Sequence, residues 1–159
     1  MNKIESFTVN HLNLPRGVFT SRVDYTGGQP ITTYDIRMKS PNIEPVMNTA
    51  EIHTIEHLGA TYLRNLPSWA REIIYFGPMG CRTGFYLIVG GTAPTTAIAK
   101  LLADMFEFIA NFNDAIPGAS AKECGNYLDM NLPMARYEAQ KFLMEILNDP
   151  QPFNLSYPQ

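Results

Sequence analysis

The chain has 159 residues, 45% hydrophobic and 17% charged, which is ordinary globular composition and enough length for one domain with a real core. Its net charge of -3, without any Lys/Arg cluster, argues against a nucleic-acid or anionic-membrane partner, and the apolar stretch from Phe85 to Val89 is far too short to span a bilayer. Met1-Asn2-Lys3-Ile4-Glu5-Ser6 has no apolar signal core, so the two cysteines are expected as reduced thiols in the cytoplasm, where free Cys is more often catalytic or metal-binding than bridged.

Residues Val18 to Thr26 and Ile31 to Met38 are rich in β-branched and aromatic residues, and Gly27-Gly28-Gln29-Pro30 between them is turn chemistry, so a β-hairpin is predicted. Pro41 and Pro45 bracket a loop. A helix starts near Asn48 or Thr49, where Asn48 and Glu51 have capping-box spacing, and ends before Pro67. Ile73 to Phe76 reads as a short strand, Gly77-Pro78-Met79-Gly80 as a turn, and Phe85 to Val89 as a strand closed by Gly90-Gly91. A second helix covers Thr95 to Asn113, with Ile98, Leu101, Leu102, Met105, Phe108, Ile109 and Phe112 on one stripe. Ile116 to Asn131 is irregular. A last helix runs from Pro133, suited to a first helical position, to about Leu147. No repeat, low-complexity tract or internal linker interrupts residues 1–159, and 149–159 reads as an extended, Pro-containing tail. The sum is an α+β domain with helices packed on a mainly antiparallel sheet.

The chemistry concentrates in His53-Thr54-Ile55-Glu56-His57. At ~100° per residue, His53, Glu56, His57, Ala60 and Arg64 share one arc of the helix, while Ile52, Ile55, Leu58, Gly59, Tyr62, Leu63 and Leu66 take the other side. Histidines at i and i+4 can bring two neutral imidazole nitrogens to one metal at about 2.0–2.1 Å, and the glutamate between them is free to move protons. The plain alternative is a solvated polar stripe. Two histidines do not complete a site, and the residue types leave Cys81, Cys124, Glu123, Glu138 and His11 open as further ligands. Either cysteine can equally be a small buried hydrophobe, and a Cys81–Cys124 disulfide is the remaining alternative.

Three blocks resemble the signatures of the S-ribosylhomocysteine lyase (LuxS-type) family, in family order: His53-Thr54-Ile55-Glu56-His57-Leu58, Gly77-Pro78-Met79-Gly80-Cys81-Arg82-Thr83-Gly84-Phe85-Tyr86 and Glu123-Cys124-Gly125-Asn126-Tyr127. Ser6-Phe7 with His11, and Tyr34-Asp35-Ile36-Arg37 with Pro41-Asn42, are similar to its N-terminal blocks, so the likeness runs from about Ile4 to Leu147. It implies a LuxS/metallopeptidase-like metallohydrolase fold and one divalent metal ion per subunit on His53, His57 and Cys124, natively iron(II), with zinc or cobalt as substitutes. It also implies Cys81 and Glu56 as the acid–base pair, with Ser6, His11 and Arg37 lining a substrate pocket completed across a homodimer interface. Arg64 falls near the homocysteine end of the substrate. The implied reaction moves a carbonyl along the opened ribose of S-ribosylhomocysteine by two proton shifts. It then expels homocysteine by β-elimination, leaving 4,5-dihydroxy-2,3-pentanedione, an autoinducer precursor. A Cys81 thiolate near Arg82 and the metal would be the base, and no organic cofactor is needed.

Three positions depart from the family pattern. Tyr75 stands where an acidic residue is usual, Asn10 where Asp often precedes the N-terminal His, and Thr33 where Lys is common. They suggest a working lyase whose pocket is altered at the substrate's amino-acid end, or a relative that only binds ligand. An inverted-zincin peptidase shares His-x-x-Glu-His but needs Glu123 or Glu138 as third ligand and leaves the other two blocks unexplained.

Overall fold

The computed structural model describes residues 7–158. Strands β1 (Gly17–Thr26) and β2 (Gln29–Arg37) form the predicted hairpin, and Thr26 pairs with Gln29. The turn is therefore just Gly27-Gly28, with φ of 57° and 80°. Positive φ at both central residues is what a two-residue hairpin turn matching the strand twist requires, and glycine adopts it without steric cost. Strand β3 (Ile73–Pro78) and strand β4 (Gly84–Gly90) complete one antiparallel sheet in the order β1-β2-β4-β3. Gly77 and Pro78, expected in a turn, extend β3 instead. Pro78 pairs with Phe85 at the end of an edge strand, where a missing N–H leaves no central ladder bond unmade.

Helix α1 (Thr49–Asn65), helix α2 (Thr95–Asn111) and helix α3 (Leu132–Phe142) cover one face of the sheet. The Asn48 N–H donates to Glu51 Oε1 at 2.5 Å, which is one half of the expected capping box. In α3 the Asn131 side chain accepts from Met134 N at 3.2 Å, with a proline in the first turn. The expected run to Leu147 changes pitch at Leu143, where a π-turn (Leu143–Leu147) begins and carries both Ile146 and Leu147 into the core. On α2, the buried set includes Phe106, whereas Phe108 and Phe112 are only half-buried. Part of the tail is not extended, since Pro152–Asn154 forms one 3-10 turn.

The sheet's pleat sorts its side chains into two sets. Val18, Tyr34, Ile36, Phe85, Leu87 and Val89 point to the helices and join one core with Ile55, Leu58, Ile98, Leu102, Phe106 and Ala139. Phe19, Asp35 and Tyr86 pair across neighbouring strands and therefore share the opposite, outer face. A bulge at Ile74 lets Ile73 and Phe76 both face inward. Phe76 packs so closely on Gly59 that a Cβ there would sit 2.5 Å from its ring, which is why the apolar side of α1 carries a glycine.

Candidate metal centre

On α1, Ile52, Ile55, Leu58 and Leu63 are buried against the sheet and helices, so His53, Glu56 and His57 face away from the core. The irregular segment from 116 to 131 closes over them. His53 Nδ1 lies 3.0 Å from the Asp129 carbonyl and His57 Nδ1 lies 2.7 Å from the Pro117 carbonyl. A carbonyl only accepts, so both Nδ1 atoms carry the proton and both Nε2 atoms present lone pairs. Those two nitrogens are 3.1 Å apart, and Cys124 Sγ is 3.4 Å from His53 Nε2. Two lone pairs and a sulfur turned on one another, with no proton to share between the nitrogens, is an arrangement that a cation satisfies. Among the described residues, His53, His57 and Cys124 are the one such trio, all within 4.8 Å of one another. The donor set thus fits a divalent metal, and three protein donors rather than four is the count of a catalytic site.

Of the candidates for a third donor, Cys124 is the one that stands beside both histidines. Glu123 accepts from Ser120 Oγ at 2.6 Å on the exposed side of its turn, and Glu138 is buried against Lys39. Both cysteines are free. Gly118, at φ 71°, lets the chain pass His57; a Cβ there would lie 3.3 Å from Nδ1. Glu56 lines a shallow cavity of about 300 Å³ with His57, Thr61, Pro117 and Gly118.

Cys81 sits elsewhere. It lines a cavity of about 370 Å³ with His11, Asp35, Arg37, Tyr86 and Tyr157, on the sheet's outer face. A cation stands beside it: Arg37 Nη1 lies 3.8 Å from Cys81 Sγ. The same nitrogen donates to Thr83 Oγ1 at 2.6 Å, and that hydroxyl lies within hydrogen-bond distance of the sulfur, 3.0 Å from Sγ. Arg37 is 3% exposed and is held by Asp35 through both Nε and Nη2. Burial alone would lower the Arg37 pKa, but the Asp35 carboxylate more than offsets it, so the guanidinium stays charged.

A profile of the S-ribosylhomocysteinase (LuxS) family matches residues 4–152. The S-ribosylhomocysteine lyase of Clostridium acetobutylicum is 59% identical over 159 residues, all of both chains. That of Clostridium beijerinckii is 59% identical over 158 residues, 99% of each, and that of Finegoldia magna 56% over 159, again all of both. The chain belongs to the LuxS family.

The remaining positions singled out from the LuxS resemblance take up defined places. Ser6 lies outside the described residues. His11 lines the Cys81 cavity, with Nδ1 2.9 Å from the Val9 carbonyl. Asn10 Oδ1 accepts from Leu12 N at 3.1 Å, a turn bond that asparagine makes as well as the family's aspartate does. Arg64 is spent on the carbonyls of Ile73 and Ile74, at 3.4 and 2.8 Å. Thr33 and Tyr75 pair with Ile88 from opposite sides, so two departures from the LuxS pattern share one rank of the outer face. Tyr75 lies over Gly77, whose added Cβ would meet its hydroxyl at 2.0 Å. Sequence reasoning missed Asp35, Thr83 and Tyr157 as neighbours of Arg37 and Cys81. Alternation along β2 was the available signal for Asp35, but Tyr157 gave none.

Proposed function

We propose that this chain is a metal-dependent lyase cleaving S-ribosylhomocysteine to homocysteine and 4,5-dihydroxy-2,3-pentanedione. The observation that carries the reading is a tautomer-locked His53–His57–Cys124 trio in a full-length LuxS-family chain. A divalent ion on those donors would supply Lewis acidity toward the oxygen of the migrating carbonyl, which makes the neighbouring C–H bonds acidic enough to ionise. Iron(II) is the native ion in this reading, with zinc or cobalt as substitutes, since imidazole and thiolate donors suit all three.

The chain's own groups then move protons. A Cys81 thiolate, held by Arg37 and the Thr83 hydroxyl, takes a proton from the carbon next to the carbonyl and returns it to the adjacent one, twice. A third abstraction pushes an electron pair toward the C–S bond, which breaks, and homocysteine leaves as a thiolate that is then protonated. Glu56, which lines one cavity with His57, shuttles the oxygen-bound protons in this reading. His11 and Arg37 line the pocket, with Ser6 assigned beside them by resemblance.

In one chain the sheet lies between the two half-sites: the trio is on the helix side and Cys81 on the outer face. This separation supports a homodimer in which each trio faces the Cys81 pocket of a second copy. Two free thiols, one of them a metal donor, suit the reducing cytoplasm, and among the described residues no helix is long and apolar enough to cross a membrane.

The direct test is thiol release from S-ribosylhomocysteine by protein loaded anaerobically with iron(II). The dimer is tested by mixing two inactive variants, Cys81→Ala and His57→Ala, and allowing subunits to exchange. Sites shared between copies restore roughly one quarter of native activity, because half the dimers then hold one intact site of two. Sites built within one chain restore none. Metal binding by the native protein without thiol release would leave it as a ligand-binding relative.

A further inference from the structure

The tail after α3 reaches back across the sheet and ends beside the Cys81 pocket. Asn154, 4% exposed, donates from Nδ2 to the Arg16 carbonyl at 2.7 Å and accepts from Gln151 N at 3.0 Å. Gly17 lets it in, since a Cβ there would lie 2.1 Å from the Asn154 carbonyl oxygen. The tail is thus fixed against the start of β1. Three residues on, Tyr157 stacks on Phe19 with centroids 4.8 Å apart and planes at 16°, and its hydroxyl donates to Asp35 Oδ2 at 2.9 Å.

Asp35 is 2% exposed and has three donors on its two oxygens: Arg37 Nε on Oδ1, and Arg37 Nη2 with the Tyr157 hydroxyl on Oδ2. Holding Arg37 by Nε and Nη2 leaves Nη1 as the end that reaches Thr83 and Cys81. We infer that Tyr157 and Asp35 are positioning residues of the lyase, which act through Arg37 to hold Cys81 as a thiolate. This rests on Cys81 being the base.

Two effects of the Tyr157 hydroxyl have the same sign. It locks the carboxylate that orients Arg37, and it draws negative charge away from a group that would otherwise repel a second anion nearby. Burial first, and then the Asp35 charge, hold the Tyr157 phenol well above its usual range, so it remains a donor at every working pH. Asp35→Asn is a poor probe, because losing its charge and loosening Arg37 act on the thiolate in opposite directions.

Tyr157→Phe removes only the O–H and keeps the stack on Phe19. Since the thiolate is the nucleophile, the iodoacetamide alkylation rate of Cys81 at neutral pH, read by peptide mass to separate it from Cys124, reports the thiolate directly. We expect alkylation of the metal-loaded full chain to slow by roughly three- to tenfold, the scale of one net hydrogen bond, with kcat falling alongside and KM unchanged. Tyr157→Ala should slow it at least as much. Native alkylation in Tyr157→Phe, whether or not Tyr157→Ala slows, would overturn the inference and leave the ring as cover only. Slowed alkylation in a protein that releases no homocysteine keeps the positioning chain and refutes the lyase reading instead.

Discussion

The trio on α1 and the pocket around Cys81 are built in opposite ways. Two of the trio's three residues come from adjacent turns of one helix, and their Nδ1 atoms are tied to backbone carbonyls of one covering segment. The Cys81 pocket draws on β1, β2, β4, the turn before β4, the N-terminal segment and the tail, and its central cation is oriented by a buried carboxylate. The metal half is therefore local and held by backbone. The Cys81 half is assembled from distant side chains, and each depends on its neighbours.

That contrast sets the expected damage. Cys81→Ala should lower thiol release by about 10²–10⁴-fold, the usual contribution of a positioned acid or base, while leaving metal content intact. His57→Ala should lose the metal; if it kept native metal content, the trio would not be the metal site. Stripping the ion with a chelator acts on the first region alone. At a thousandfold excess over Kd, bound metal adds about 4 kcal/mol to unfolding stability, so urea titration should show a drop of that order, with the Cys81 alkylation rate unmoved in a monomeric fraction, where no second copy's trio faces the pocket. Coupling of alkylation to chelation within a monomeric fraction would break the division between the regions.

Gly118→Ala tests how tightly the covering segment grips His57. Its positive φ and the 3.3 Å approach should cost about 10–100-fold in metal affinity, measured by competition with a chromogenic chelator. The smallest change is expected at the far end of the outer face, where Thr33 and Tyr75 flank Ile88. Restoring a carboxylate with Tyr75→Asp should shift KM for S-ribosylhomocysteine by up to about tenfold, the scale of one exposed charge contact, at constant kcat. An unchanged KM would remove Tyr75 from the substrate's amino-acid end.

Helix α1 was readable residue by residue because its period both buries Ile55 and Leu58 and gathers His53, Glu56 and His57. The hairpin was readable from Gly27-Gly28 and its β-branched flanks. Strand β2 was read as a strand, but the role of its buried outer face was not, since Thr33, Asp35 and Arg37 are as buried as the core residues between them. Only the covering layer decides that. The end of β3 was misplaced because Gly and Pro are turn residues in most contexts, and an edge strand is one of the few that tolerates both.

Sequence alone determined the element types, the two-histidine helix face and, through its signature blocks, the family. These follow from short-range period and residue chemistry. Tertiary structure decided that Cys124 rather than Glu123 joins the histidines, that Arg37 meets Cys81, and that Tyr157 reaches Asp35 from 122 positions away. Those contacts depend on how the sheet's pleat and the closing segments place side chains that share no local pattern.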